Sequence, residues 1–170
     1  PREDPVNTEV LIVGAGPTGL MLANQLARRG VRVLIIDRHP GPSLETRALG
    51  VQARTLEIYA KMGLADRAIE LGKRGDGAHM WSEGRRIGHV SLSDVGSKST
   101  PYPYILVLGQ DDNERLMGEK LGEFGIDVQW NTELLALEQH PAHVVATLKS
   151  ADGSTRTITA AWVAGCDGAR

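Results

Sequence analysis

Glu9-Val10-Leu11-Ile12-Val13-Gly14-Ala15-Gly16-Pro17-Thr18-Gly19-Leu20, read together with Val31-Arg32-Val33-Leu34-Ile35-Ile36-Asp37, decides the fold of this chain. Val10 to Val13 is short, β-branched and apolar on both faces, the pattern of a central parallel strand covered on its two sides. Pro17 suits the first helical position, where its missing N–H costs nothing, and Leu20, Ala23 and Leu26/Ala27 then recur at helical spacing until Gly30. Val31 to Ile36 is a second buried strand that ends at Asp37. Residues 9 to 37 are therefore expected to form one strand–helix–strand unit with a right-handed crossover. The fold class expected is α/β, Rossmann-like with a central parallel sheet.

Within that unit, Gly14-Ala15-Gly16-Pro17-Thr18-Gly19 is a G-x-G-x-x-G that follows a strand and opens a helix, and Asp37 ends the next strand about twenty residues on. Gly14 permits the tight turn, Gly16 lets backbone approach a pyrophosphate, and Gly19 allows close helix–strand packing. The helix N-terminus offers N–H donors and a positive dipole to the phosphates. Asp37 would accept hydrogen bonds from the ribose hydroxyls, with Arg38 beside it as a further cofactor-binding candidate, and would repel a 2′-phosphate, which argues against NADP at this position. The plainer alternative is a helix-start turn with Asp37 as a strand-end cap. The fingerprint does not separate FAD from NAD, because both present the same ADP half.

Outward from this unit, Thr46 to Met62 has helical character, with Glu57 and Lys61 spaced for an i,i+4 pair and Gly63 as a stop. A Gly-rich bridge leads to two strand-like runs, Ala78 to Ser82 and Arg86 to Ser91, joined at Glu83-Gly84 as a hairpin. Gly96 to Pro103 reads as a loop and Ile105 to Leu108 as a strand. Asp111 to Phe124 reads as a helix whose Leu116, Leu121 and Phe124 can share a face before Gly125. Ile126 to Trp130, Leu134 to Glu138, Val144 to Lys149 and Arg156 to Val163 alternate like β-structure, with Asp152-Gly153 as a turn.

Composition narrows the function classes. With 41% hydrophobic and 24% charged residues, the 170-residue chain can bury a core. A net charge of -2 leaves no excess of Lys or Arg for a polyanion, so no nucleic-acid partner is expected. The longest apolar stretch near the N-terminus is far too short to span a bilayer, and residues 1 to 5 are no signal-peptide n-region, so no membrane partner is expected. One cysteine, Cys166, excludes an intramolecular disulfide and fits a reducing, cytoplasmic compartment.

Four motifs in order carry a family resemblance: residues 11 to 20, Arg47-Ala48-Leu49-Gly50-Val51-Gln52-Ala53-Arg54-Thr55-Leu56-Glu57, Gln110 with Glu114, and Gly165-Cys166-Asp167-Gly168-Ala169-Arg170. With them the chain resembles the FAD-dependent aromatic hydroxylases, the class A flavoprotein monooxygenases of the para-hydroxybenzoate and phenol hydroxylase type. The resemblance implies that Arg47 lies near the flavin and pyrophosphate, that Gln110 contacts the extended cofactor, and that the backbone near Leu134 meets the adenine. It implies contacts from Asp167-Gly168 to FAD and to the phosphates of the nicotinamide cofactor, whereas Asp152-Gly153 is explained by its hairpin. Singly, Arg47 and Arg54 could be a solvated helix face, Gln110 and Glu114 a polar pair at a helix start, and Asp167-Gly168 a plain turn.

The activity so implied is hydroxylation of a phenolic or polycyclic aromatic substrate by a flavin hydroperoxide, after NAD(P)H has transiently docked and reduced the FAD. The cofactor carries that chemistry, so no catalytic side chain is nominated. In the resembled family a further Gly-Asp motif follows much later. Residues 1–170 are thus expected to be the N-terminal part of a longer FAD-binding enzyme, inactive alone. Residues of about 78–108 would begin a β-rich substrate-side sheet, and the C-terminal substrate domain and third motif would be absent. The alternatives are a non-catalytic FAD-binding module, or a related flavin oxidoreductase such as a ubiquinone-pathway hydroxylase or a halogenase. Substrate identity, NADH against NADPH, and oligomeric state are not legible in the sequence.

Three residue groups invite other readings. The histidines 39, 79, 89, 140 and 143 show no H-x-x-x-H or H-E-x-x-H spacing, so they read as surface or loop residues and no metal is expected. Cys166 reads as a small buried side chain rather than a nucleophile. Trp81 and Tyr102-Pro103-Tyr104 could line an aromatic pocket, but read better as core or loop packing.

Overall fold

The computed structural model describes residues 8–43, 50–75, 77–91 and 99–168. In chain order its elements are β1 (Thr8–Val13), α1 (Pro17–Ala27), β2 (Val33–Ile36), β3 (Gly50–Val51), α2 (Ala53–Met62), α3 (Ala65–Leu71), β4 (Lys73–Gly75), β5 (Gly77–Ser82), β6 (Arg85–Ser91), β7 (Ile105–Val107), α4 (Gln110–Gly122), β8 (Glu133–Gln139), β9 (Val144–Lys149) and β10 (Thr155–Gly165). The chain divides into two compact units, Pro1–Ser43 with Met117–Arg170, and Leu44–Leu116.

The first unit is built on a five-stranded sheet of order β2-β1-β10-β9-β8. Strand β1 runs parallel to β2 on one edge and to β10 on the other, with Val10 opposite both Val33 and Trp162. Pairing on both edges and cover on both faces explain the unbroken apolar run, in which Leu11 and Ile12 have no exposure. The other half of the sheet is an antiparallel meander, β8-β9-β10, because the short connections between these strands leave no room for a crossover. Leu11, Ile36, Ala146, Leu148, Ile158 and Ala160 pack into one core, flanked by Val13, Leu34, Leu134 and Val163. Each fully buried Leu or Ile contributes roughly 1.5–3 kcal/mol. Helix α1 buries Gly19, Leu20, Ala23 and Asn24, and the Asn24 amide donates to the carbonyls of Leu20 and Met117, both at 2.9 Å.

The second unit holds the three-stranded sheet β3-β7-β4, the hairpin β5-β6, and helices α2 and α3. Leu56, Tyr59, Leu106 and Leu108 are buried there, and the Tyr59 hydroxyl donates to Asn113 Oδ1 at 2.6 Å. At the hairpin turn both Glu83 (φ 47°) and Gly84 (φ 74°) are left-handed, the geometry of a two-residue loop whose twist matches its strands. Among the described residues, no helix is long and apolar enough to cross a membrane.

Several expected boundaries give way to tertiary pairing. Helix α2 starts at Ala53 rather than Thr46, because Gly50 and Val51 pair antiparallel with Val107 and Leu106 and Gln52 is extended; Thr46 lies outside the described residues. The Glu57 carboxylate is bonded by Arg54 at 2.8 Å, and the expected partner Lys61 acts on it only through a lesser charge attraction. The Gly-rich bridge contains α3 and β4. Ile126 to Trp130 contributes a single bridge, Ile36 to Gln129, instead of a strand. Phe124 lies past the end of α4 and is 41% exposed, while Leu116 and Leu121 are buried.

Candidate functional site

The Gly14–Gly19 loop is fixed by backbone contacts that only glycine tolerates. Gly14 N–H donates to Ile36 O at 2.8 Å, and Cys166 N–H donates to Val13 O at 2.6 Å, so the loop emerges between the ends of β2 and β10. Gly14 has φ +105°, and a Cβ there would stand 2.4 Å from Cys166 O and 2.7 Å from Asp167 N. A Cβ on Gly19 would stand 1.9 Å from Gly14 O, which is the close helix–strand approach expected of the third glycine. Gly16 is the N-cap of α1, with φ -70° and ψ -178°, a conformation open to any residue. Pro17 occupies the first helical position, no side chain caps the helix, and its first turn contains no acidic residue. The positive end of α1 therefore meets no carboxylate of its own helix, the electrostatics an oxyanion requires.

Asp37 closes the other side. Its Oδ2 accepts the Ala15 N–H at 2.7 Å, while Oδ1 accepts the His39 N–H at 2.9 Å and lies 2.8 Å from His39 Nδ1. The carboxylate is only 13% exposed. Behind it the loop is zipped to a second segment: Asp37 N–H donates to Gln129 O at 3.0 Å, Thr132 N–H to Asp37 O at 2.9 Å, and Asn131 N–H to His39 O at 2.9 Å. Asn131 turns the chain back with φ 52°, in the left-handed region that Asn tolerates better than most residues. Thr132, Glu133 and Leu134 then form the wall facing Asp37.

A cavity of about 870 Å³ opens beside Gly14 and Asp37, and Ala15, Gly16, Pro17, Thr18 and Gly19 are not among its lining residues. Gly14, Asp37, Arg38, Leu134 and Asp167, which the sequence nominates separately, all line it, together with His39, Thr132, Trp162 and the stacked pair His140 and His143. Thr18 and Arg38 are exposed and Ala15 is buried. Gly168 follows Asp167 with φ 85°. The sequence reading missed His39, Asn131, Thr132 and Trp162. The signal available for His39 was its place two residues after Asp37, where an Asp side chain commonly binds a backbone N–H.

The remaining nominees behave differently. Gln110, at the start of α4 in the second unit, donates its amide to Glu114 Oε1 at 2.8 Å. Arg47 lies outside the described residues. Asp152 is held by Ser154, whose hydroxyl and N–H both bind its carboxylate and keep its pKa below the usual value, as a hairpin turn requires. Cys166 is half-buried, and burial, then the neighbouring Asp167 charge, pushes its thiol above the ordinary value. Trp81, expected to pack in core or loop, is 64% exposed on β5. Tyr102 and Tyr104 meet edge to face, with Arg74 4.7 Å above the Tyr104 ring. His79 and His89 face each other across the β5-β6 hairpin. Among the described residues no three His, Cys, Asp or Glu side chains converge on a metal site.

A family model described as an FAD binding domain matches residues 7–170. This chain belongs to that family. The FAD-binding domain is 39% identical over 162 residues to the 6-methylpretetramide 4-monooxygenase of Streptomyces rimosus, covering 95% of this chain and 29% of the relative. It superposes on the crystal structure of p-nitrophenol 4-monooxygenase from Pseudomonas putida with a TM-score of 0.90, 28% identity, and coverage of 98% and 42% of the two chains. A ternary complex of aklavinone-11 hydroxylase with FAD and aklavinone matches with a TM-score of 0.89, 31% identity, and coverage of 98% and 34%. The domain thus spans less than half the length of these relatives.

Proposed function

We propose that this FAD-binding domain serves an FAD-dependent, NAD(P)H-using monooxygenase that hydroxylates a phenolic or polycyclic aromatic substrate with molecular oxygen. One observation carries the reading: the Asp37 carboxylate is held beside a glycine loop whose following helix has no side-chain cap and no acidic residue in its first turn. That donor set fits the ADP half of FAD. The N–H groups of Gly16, Thr18 and Gly19 would face the pyrophosphate, while Pro17 supplies preset backbone and no donor. Because Gly16 has an unstrained φ, the advantage of glycine there is the close approach of a ligand. Asp37 would accept from the ribose hydroxyls, and the Leu134 backbone would meet the adenine.

FAD, when bound, supplies the redox chemistry that activates oxygen. The chain's own part is to hold the dinucleotide and exclude water from it. For Arg47, Gln110, Asp167 and Gly168, support for a cofactor role comes from the resemblance, joined for Asp167 by its presence in the cavity wall, and for Arg38 support comes from its presence there. The named activities of the relatives, on p-nitrophenol and on 6-methylpretetramide, support an aromatic substrate. The exposed apolar side chains of β5-β6, Met80, Trp81, Ile87 and Val90, support residues 78–108 as the beginning of a substrate-side sheet. The single cysteine supports a reducing, cytoplasmic setting.

The test is the visible spectrum of the chain desalted after mixing with FAD, beside a Gly16→Asp variant whose carboxylate repels the pyrophosphate. A retained flavin band lost in the variant is the expected result, and retained NAD without retained flavin overturns the reading. Stimulation of NAD(P)H consumption by a phenol then distinguishes a monooxygenase from a module that only binds FAD.

A further inference from the structure

We infer that His39 is a positioning residue for the dinucleotide: its imidazole holds the Asp37 carboxylate in the one orientation that serves the ribose. The inference rests on the FAD reading above. Asp37 offers two oxygens, each with two lone pairs. Oδ2 already takes the Ala15 N–H at 2.7 Å, and Oδ1 takes both the backbone N–H and the ring Nδ1 of His39, at 2.9 and 2.8 Å. Both acceptor positions on Oδ1 are thereby filled, and one on Oδ2 remains for a ribose hydroxyl. A carboxylate only accepts, so Nδ1 carries the hydrogen. In the neutral ring Nε2 is then the acceptor, and His39 lines the same cavity as Asp37.

The geometry separates two functions of the residue. Its backbone N–H closes a turn that any residue could close, since the donor is main chain. Its ring adds a second, side-chain donor to the same oxygen, and with the Ala15 and His39 N–H groups this donor resists rotation of the carboxylate about its Cβ–Cγ bond when a ligand hydroxyl competes for it. His39 O is in turn fixed by the Asn131 N–H at 2.9 Å, which ties the imidazole to the wall bearing Leu134. The ring is 65% exposed, so its removal leaves no buried group without a partner.

The experiment measures FAD affinity by flavin fluorescence for the chain, for His39→Ala and for His39→Asn, with the melting temperature of each without FAD. The Asn amide can donate from close to the Nδ1 position, whereas Ala cannot. His39→Ala is expected to bind FAD about ten-fold more weakly, equivalent to ~1.4 kcal/mol. His39→Asn is expected to recover most of that loss, and both variants to melt within a degree or two of the unaltered chain. Equal affinity in all three proteins overturns the inference and leaves the FAD reading standing. No FAD binding by the unaltered chain overturns both. An affinity loss in His39→Ala that tracks a lowered melting temperature and is not recovered by Asn overturns it in favour of a purely structural role.

Discussion

Replacing Gly19 with alanine isolates steric fit from helix propensity. The backbone of Gly19 is helical, so alanine needs no unusual φ, and propensity alone favours it by roughly 1 kcal/mol. The added Cβ, however, would stand 1.9 Å from Gly14 O, 3.0 Å from Gly14 C and 3.3 Å from the Cys166 Cβ. To reach the 3.0 Å that real Cβ atoms respect, α1 and the loop must part by about 1.1 Å. Neither side yields easily. Gly14 is tied to Ile36 O at 2.8 Å, Ala15 to Asp37 at 2.7 Å, and Leu20 N–H to Gly16 O at 3.0 Å. Overpacking of this kind costs typically ~1–3 kcal/mol and here exceeds the propensity gain. Gly118→Ala is the matched control, because Gly118 also lies inside a helix and a Cβ there meets nothing within 4 Å. It should gain about 0.5–1 kcal/mol. Urea unfolding of both variants, followed by circular dichroism, should therefore give shifts of opposite sign, with FAD affinity reduced at least ten-fold only in Gly19→Ala. A Gly19→Ala chain as stable and as tightly FAD-binding as the original would refute the close approach.

Three further outcomes test other parts of the structure. Asn131→Gly should leave stability within ~0.5 kcal/mol, whereas Asn131→Val should lose about 1–2 kcal/mol through its left-handed φ; equal urea midpoints for the two would remove the turn from the account. Burial raises the Tyr59 phenol above its ordinary 10.0. The folded state then holds its proton more tightly than the unfolded one, so stability should fall as pH rises past about 10. Tyr59→Phe should flatten that fall while losing about 1 kcal/mol at pH 8, and an unchanged alkaline slope counts against it. The raised Cys166 thiol should alkylate with iodoacetamide at pH 8 more slowly than a free cysteine peptide, and at the peptide's rate once unfolded in urea; equal rates in the folded chain would contradict the assigned burial.

The sequence by itself determined the unit from β1 to Asp37, since each of its signals is local. Val10 to Val13 is apolar because both faces are covered, Pro17 begins a helix because its φ is preset, and G-x-G-x-x-G with Asp37 spans one strand–helix–strand unit. The Glu83-Gly84 turn and the hairpin turn at Asp152-Gly153 were legible for the same reason. What only the tertiary structure decided depends on partners distant in sequence. Gly50 and Val51 leave the helix because Leu106 and Val107 pair with them. Gln129 forms one bridge, opposite Ile36, through bonds to the main chain of Ile35 and Asp37, instead of a strand. Leu134, Asp167 and Asp37, up to 130 positions apart, meet at one cavity because β10 lies beside β1 and the turn at Asn131 carries β8 back past Asp37. Periodicity records which face of an element is covered, but not which other element covers it, and that choice was made when the chain closed its backbone hydrogen bonds across the sheet.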